Sequence, residues 1–111
     1  MSSISRRALY RILYPLTERP IFEIGRFAYE VIDCSERGLR YEVKDRRLPA
    51  LGTALGGRLV FRRGESVEVV GEVIRRRADT VALALDAPGI AFGEILAEQR
   101  YLRSRGFSLR D

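Results

Sequence analysis

Along most of this chain apolar and polar residues alternate at period two, the spacing of strands with one buried face. Phe27, Tyr29 and Val31 recur in this way, and Leu39, Tyr41 and Val43 face one side while Arg40, Glu42 and Lys44 face the other. Leu59 and Phe61 alternate with Arg58 and Arg62. Val67, Val69, Gly71 and Val73 oppose Glu68, Val70, Glu72 and Ile74, and residues 81–85 read as a returning buried strand. An earlier strand begins over 10–14, becomes irregular over 15–20 where Pro15 and Pro20 cannot donate to a ladder, and resumes over 21–24 before a turn at Gly25-Arg26. Residues 33–38 predict a polar turn and, with their flanking strands, a hairpin with a longer loop. Arg63-Gly64-Glu65 predicts another turn, and Arg75-Arg76-Arg77 with Asp79-Thr80 a second hairpin end. Residues 45–56 predict a loop from which Leu48, Leu51 and Leu55 could fold back on the core. Past Pro88-Gly89 the period becomes helical over 90–105. Phe92, Ile95, Leu96 and Leu102 share one side, Glu94, Glu98, Arg103 and Arg105 lie elsewhere, and Gly106 is placed to stop the helix. The pattern predicts a mainly β protein: a small antiparallel barrel followed by a C-terminal helix.

Composition narrows the picture. The 111 residues suit one domain with a single core, and a 46% hydrophobic share is ordinary for a folded protein. No apolar run approaches the roughly 20 residues needed to cross a bilayer, and residues 1–7 carry no apolar segment of a secretory signal. The single cysteine, Cys34, has no second cysteine and no histidine to join, which fits a reducing cytosol and argues against a Cys/His metal site. The net charge is +5 and the cations are almost all arginine, with Lys44 the only lysine. Arginine offers a planar fork that matches phosphate oxygens and base edges, whereas lysine is a point charge. A GC-rich genome also raises arginine, so position has to decide.

Two stretches carry candidate chemistry. Arg6, Arg7 and Arg11 crowd the start of the chain; such a cluster reads either as a solvated basic tail or as a clamp on phosphate and on the O6 and N7 acceptors of guanine. In Asp33-Cys34-Ser35-Glu36-Arg37-Gly38, Asp33 reads either as an Asx-turn former or as an acceptor for guanine N–H groups, and Gly38 as the residue supplying a positive φ at the loop exit. No histidine, paired carboxylates, activated nucleophile or P-loop points to catalysis.

Together these stretches resemble the PilZ domain family. An arginine pair spaced RxxxR, extended to RRxxxR by Arg6 and completed by Arg7 and Arg11, is followed about twenty residues later by DxSxxG, present in full as Asp33, Ser35 and Gly38. The resemblance implies a six-stranded antiparallel β-barrel with a C-terminal α-helix: one domain over 1–111, with a mobile arginine-rich leader over 1–9, the barrel over 10–86 and the helix over 90–105. It further implies a receptor for cyclic di-GMP, a bacterial second messenger, with no other cofactor. Arg7 and Arg11 would grip guanine Hoogsteen edges and phosphates, Asp33 and Ser35 a guanine and the ring phosphate, and Gly38 would shape the turn. Arg6 would bear on whether one ligand or a stacked pair binds, and Arg75 would stack on an exposed guanine. Many family members carry glycine and phenylalanine in the last strand where this chain has Ala82 and Leu85.

A non-catalytic ligand sensor that signals by contact with a flagellar, pilus, polysaccharide or transcription component is therefore the leading expectation. A basic barrel binding single-stranded nucleic acid is the alternative, against which Phe27, Tyr29, Tyr41 and Phe61 sit on the core phase rather than on a stacking surface. A PilZ-like domain acting by protein contact without ligand is the third.

Overall fold

The structure is a computed structural model describing residues 11–107. Its strands are β1 (Ile12–Leu13), β2 (Ile21–Ile24), β3 (Phe27–Ser35), β4 (Gly38–Glu42), β5 (Ala54–Val60), β6 (Ser66–Arg77) and β7 (Thr80–Leu85), followed by helix α1 (Phe92–Ser104). Every pairing is antiparallel. The order β3–β2–β5–β6–β7–β4 closes on itself through the β3–β4 pairing, giving a six-stranded barrel. Closure leaves no free edge on the ring.

β3 is the hub. Its first half pairs with β2 from Ile21↔Glu30 to Ile24↔Phe27, and its second half pairs along the same edge with the short β1, Ile12 to Cys34 and Leu13 to Asp33. The proline-flanked stretch between β1 and β2 makes a 3₁₀ turn, Leu16–Glu18. Backbone bonds from Tyr14 N–H to the Ile32 carbonyl and from Val31 N–H to the Pro20 carbonyl tie both ends of that stretch to β3.

The alternation read from the sequence fills the interior. Phe22, Val31, Tyr41, Leu59, Phe61, Val73, Val81 and Leu83 are essentially inaccessible, and Ile95 and Leu102 of α1 enter the same core. Each such side chain contributes about 1.5–3 kcal/mol on removal from water. Three details differ from the sequence reading. The hairpin after Val31 has a two-residue turn, Glu36-Arg37, because Asp33 and Ser35 belong to β3 and Gly38 opens β4. The loop after β4 ends before Ala54, and of its leucines Leu48 and Leu55 pack on the core while Leu51 stays exposed. Glu98 points inward rather than away, only 1% exposed.

A carboxylate at that depth is tolerated only with partners. The Tyr14 hydroxyl donates to Glu98 Oε1, and Arg63, from the β5–β6 turn, pairs with Glu98 and Glu94. A second link runs the opposite way: Tyr101 of α1 donates to Glu18 Oε1 at 2.7 Å, and Arg105 reaches Glu18 Oε2 at 3.1 Å. Two reciprocal tyrosine–glutamate bonds therefore fasten the 14–18 segment to α1.

The two carboxylates respond oppositely to pH. The Tyr101 hydrogen bond, helped by Arg105, holds Glu18 below its usual 4.5, whereas burial pushes Glu98 above that value against its bonds to Tyr14 and Arg63. Ionised Glu18 thus stabilises the fold above pH 4.5, and that contribution is lost as pH falls through the lowered value. Glu98 is most favourable when protonated and costs stability as pH climbs from 4.5 through its raised value. Glu18→Gln is expected to melt lower than the parent at pH 7 and to show a smaller further drop below pH 4.5, measured by thermal denaturation across pH.

Candidate ligand-binding face

The sequence DxS sits where β3 changes phase. Val31 faces Tyr41 in the core, and strict alternation would send Asp33 inward as well. The β3–β4 register shifts between Val31 and Asp33, so Ile32 is the extra residue of a bulge. Beyond it Cys34 turns inward, 1% exposed, while Asp33 and Ser35 project from the opposite side of the strand, where both are nevertheless covered, at 4% and 8%. Burial pushes the Cys34 thiol up to about 12, so it stays protonated and fills space.

β1 brings Arg11 to this face. Ile12 opposes Cys34, and one step back along the same register sets Arg11 beside Ser35, exposed to solvent. Arg11 is among the charges acting on Cys34, in keeping with that proximity. Arg6 and Arg7 lie outside the described residues.

Across the hairpin, Asp33 faces Arg40. Arg40 Nε and Nη2 both donate to Asp33 Oδ2, at 3.0 and 2.7 Å, and the carboxylate is consequently largely covered. Arg40 was not among the residues singled out from the sequence. The period-two pattern marks it only as outward-facing, and no local motif pairs it with Asp33.

Gly38 has a different role from the one the sequence suggested. It is not among the positive-φ glycines; it opens β4 opposite Ser35. A Cβ there would stand 3.2 Å from Ser35 Oγ, so the glycine leaves room for that hydroxyl. The Glu36-Arg37 turn is braced from behind. Ile90 N–H donates to the Glu36 carbonyl, Leu85 N–H to the Arg37 carbonyl, and Arg37 Nε to the Leu85 carbonyl. Gly89, with φ +68°, passes so close that a Cβ would lie 2.1 Å from the Glu36 carbonyl oxygen.

The outer face continues onto β7 and β6. Gly38 pairs with Ala84, and Arg40 with Ala82, which in turn pairs with Arg75. A second bulge, between Val73 and Arg75, re-aims Arg75 outward and leaves Ile74 exposed. Small residues thus floor the strip between Arg40 and Arg75, two strand spacings or roughly 10 Å apart. Of the two positions where the chain departs from the family pattern, Leu85 is buried as expected, whereas Ala82 belongs to this outward floor.

Two shallow cavities among the described residues lie elsewhere, around Tyr29, Glu42 and Asp45 and around Phe27, Arg47 and Leu55. Arg11 is exposed at this face, whereas Asp33 and Ser35 beside it are buried. Among the described residues no cluster of His, Cys, Asp or Glu could hold a metal ion.

The described residues thus form a closed six-stranded antiparallel barrel with a C-terminal helix, with Arg11 set beside the hairpin that carries Asp33 and Ser35. The family model for the PilZ domain matches residues 5–104, and the chain belongs to that family. Among solved structures, the crystal structure of a Legionella uncharacterized protein, Lpg0364, is similar in fold. It has a TM-score of 0.63 at 16% identity, and the match covers 88% of this chain and 99% of that one. No curated protein matches the chain significantly. No helix among the described residues is long and apolar enough to cross a membrane.

Two glycines should respond differently to a methyl group. At Gly57 a Cβ would stand 2.3 Å from the Glu23 carbonyl, forcing β2 and β5 apart, so Gly57→Ala is expected to cost about 2–3 kcal/mol. Gly38→Ala meets only a hydroxyl that can rotate and should cost below about 1 kcal/mol. Urea denaturation of both variants checks the contrast.

Proposed function

We propose that this domain is a cyclic di-GMP receptor that acts in the cytoplasm and signals through contact with a protein partner. The observation that carries the reading is the β1–β3 register, which sets Arg11 beside Ser35 on the outer face that Asp33 shares. In this reading Arg7 and Arg11 clamp phosphate and the Hoogsteen acceptors of guanine. Asp33 accepts from guanine N–H groups, Ser35 bonds the ring phosphate, and Gly38 keeps Ser35 free to do so. Arg75 stacks on the exposed base. Arg6 bears on whether one ligand or a stacked pair is held.

The arginine leader crowds several like charges together until phosphate compensates them. Loading therefore orders it over the barrel, and the composite surface of leader, ligand and β3–β4 is what the partner reads. Single-stranded nucleic acid is the weaker reading. Tyr29, Tyr41 and Phe61 are buried, and the Phe27 ring is covered by the Arg47 guanidinium at 4.4 Å, which leaves few faces for base stacking.

Calorimetric titration with cyclic di-GMP should give saturable binding, weakened at least about tenfold in Arg7→Ala, Arg11→Ala and Asp33→Ala. Amide exchange over residues 6–11 should slow on loading. Absence of saturation by cyclic di-GMP, together with oligonucleotide binding that falls steeply with salt, would replace this reading with the nucleic-acid one.

A further inference from the structure

The Asp33–Arg40 ion pair carries an inference that rests on the proposed ligand and specifies how the base is chosen. The two residues oppose each other on β3 and β4, so both project from the same face. Arg40 spends two of its five N–H donors on Asp33 Oδ2 and keeps a side chain 41% exposed, so part of its donor edge remains open to a ligand. A carboxylate offers about four acceptor positions, of which Arg40 occupies two, and the Asp33 side chain keeps a 6% exposed edge toward the same face. The pair is thus a fixed unit in which acceptor and donor stand side by side.

The Watson–Crick edge of guanine is complementary to such a unit: two adjacent donors, N1–H and the 2-amino group, followed by the O6 acceptor. Adenine offers its 6-amino donor where guanine has O6, and an unprotonated N1. We propose that Arg40 is a specificity-determining residue: it donates to guanine O6 while Asp33, held in place by the same guanidinium, accepts from N1–H and the 2-amino group. O6 has two lone pairs, so this contact is compatible with an arginine of the leader on the Hoogsteen side. An adenine in the same position would set its amino group against a guanidinium and leave the remaining donors of Arg40 and acceptors of Asp33 without partners, which binding sites of this kind penalise heavily.

The test compares cyclic di-GMP with cyclic di-AMP on the parent protein and on Arg40→Ala, Arg40→Gln and Arg40→Lys, each first shown to be folded by its melting curve. Arg40→Ala is expected to weaken cyclic di-GMP about ten- to hundredfold and to leave cyclic di-AMP unchanged, so that selectivity collapses. Arg40→Lys, which keeps the charge but not the fork, should recover only part of it. On an Asp33→Asn background the Arg40→Ala loss should shrink, since the two act as one unit. Tighter cyclic di-GMP binding by Arg40→Ala would make Arg40 a competitor for Asp33 and overturn the proposal. Equal losses for both ligands would reduce it to a general charge effect, and unchanged binding would remove it altogether. Failure of the parent protein to bind either cyclic dinucleotide would reject the receptor function instead. The Arg40 Nε resonance then decides the pair separately, moving with millimolar guanosine monophosphate and not with adenosine monophosphate if the inference holds, and moving with neither or with both if it fails.

Discussion

The single inserted residue in β3 is the constraint on which the candidate face depends. A strand that alternated strictly from Val31 onward would bury Asp33 in an apolar core and expose Cys34. The β-bulge at Ile32 reverses the phase, so the thiol fills space beside Ile12 and Tyr14 while the carboxylate and the hydroxyl turn together away from the core, both still covered by their neighbours. The second bulge does the same for Arg75 on β6. Irregularities in two strands, rather than a loop, thus select which polar residues share the outer surface. A face built on paired strands is held more rigidly than one built on a loop, which suits recognition by a few fixed hydrogen bonds.

Behind that face, the same strand is tied to the helix. The inward side chain between Asp33 and Ser35 is Cys34, whose sulfur lies 3.7 Å from the Tyr14 hydroxyl. Tyr14 in turn bonds Glu98, and Arg63 pairs that carboxylate with a third part of the chain. This buried group has its donors supplied from elements distant in sequence, so removing one partner strands the others in a medium where unpaired polar atoms are costly. Its effect is to fix the position of the segment directly after Arg11. A leader that closes over ligand would then swing from an immobile root.

The period-two runs made the barrel legible because half-buried strands need alternating side chains whatever their partners, and the switch to helical period after Pro88-Gly89 was equally clear. The motif residues were legible because their spacing matched a known family. What stayed hidden depends on contacts between distant segments. Nothing local distinguishes Glu98, which is buried against Tyr14 and Arg63, from a helical glutamate facing water. Asp33 and Ser35 look like turn formers, so the sequence suggests a longer loop than the hairpin has; their place in β3 follows from the bulge and from the bracing of Glu36-Arg37 by residues 85–90. Gly38 was assigned a positive φ for the same reason, when its value lies in the space it leaves for Ser35. Arg40 carries no signal in the sequence, since arginine on an outward strand position is ordinary until its cross-strand partner is known.

The fullness of the interior bears on where any ligand can act. Phe22, Tyr41, Leu59, Phe61 and Leu83 meet at the centre with almost no access, so the barrel has no lumen to offer, unlike wider barrels that enclose their ligands. A ligand of this protein must lie on the outside, where one flat surface buries only part of a small polar molecule and water competes for every hydrogen bond. Affinity then requires a second wall. β1 sets Arg11 beside Ser35, and Arg6 and Arg7 precede it in the sequence, guanidinium groups whose chemistry suits such a wall and compensates phosphate charge. If those arginines hold the proposed ligand, the preference that composition alone could assign to genome bias has a physical reason at this position: a mobile lysine would neutralise charge, but a planar guanidinium can also lie against a base and close the site.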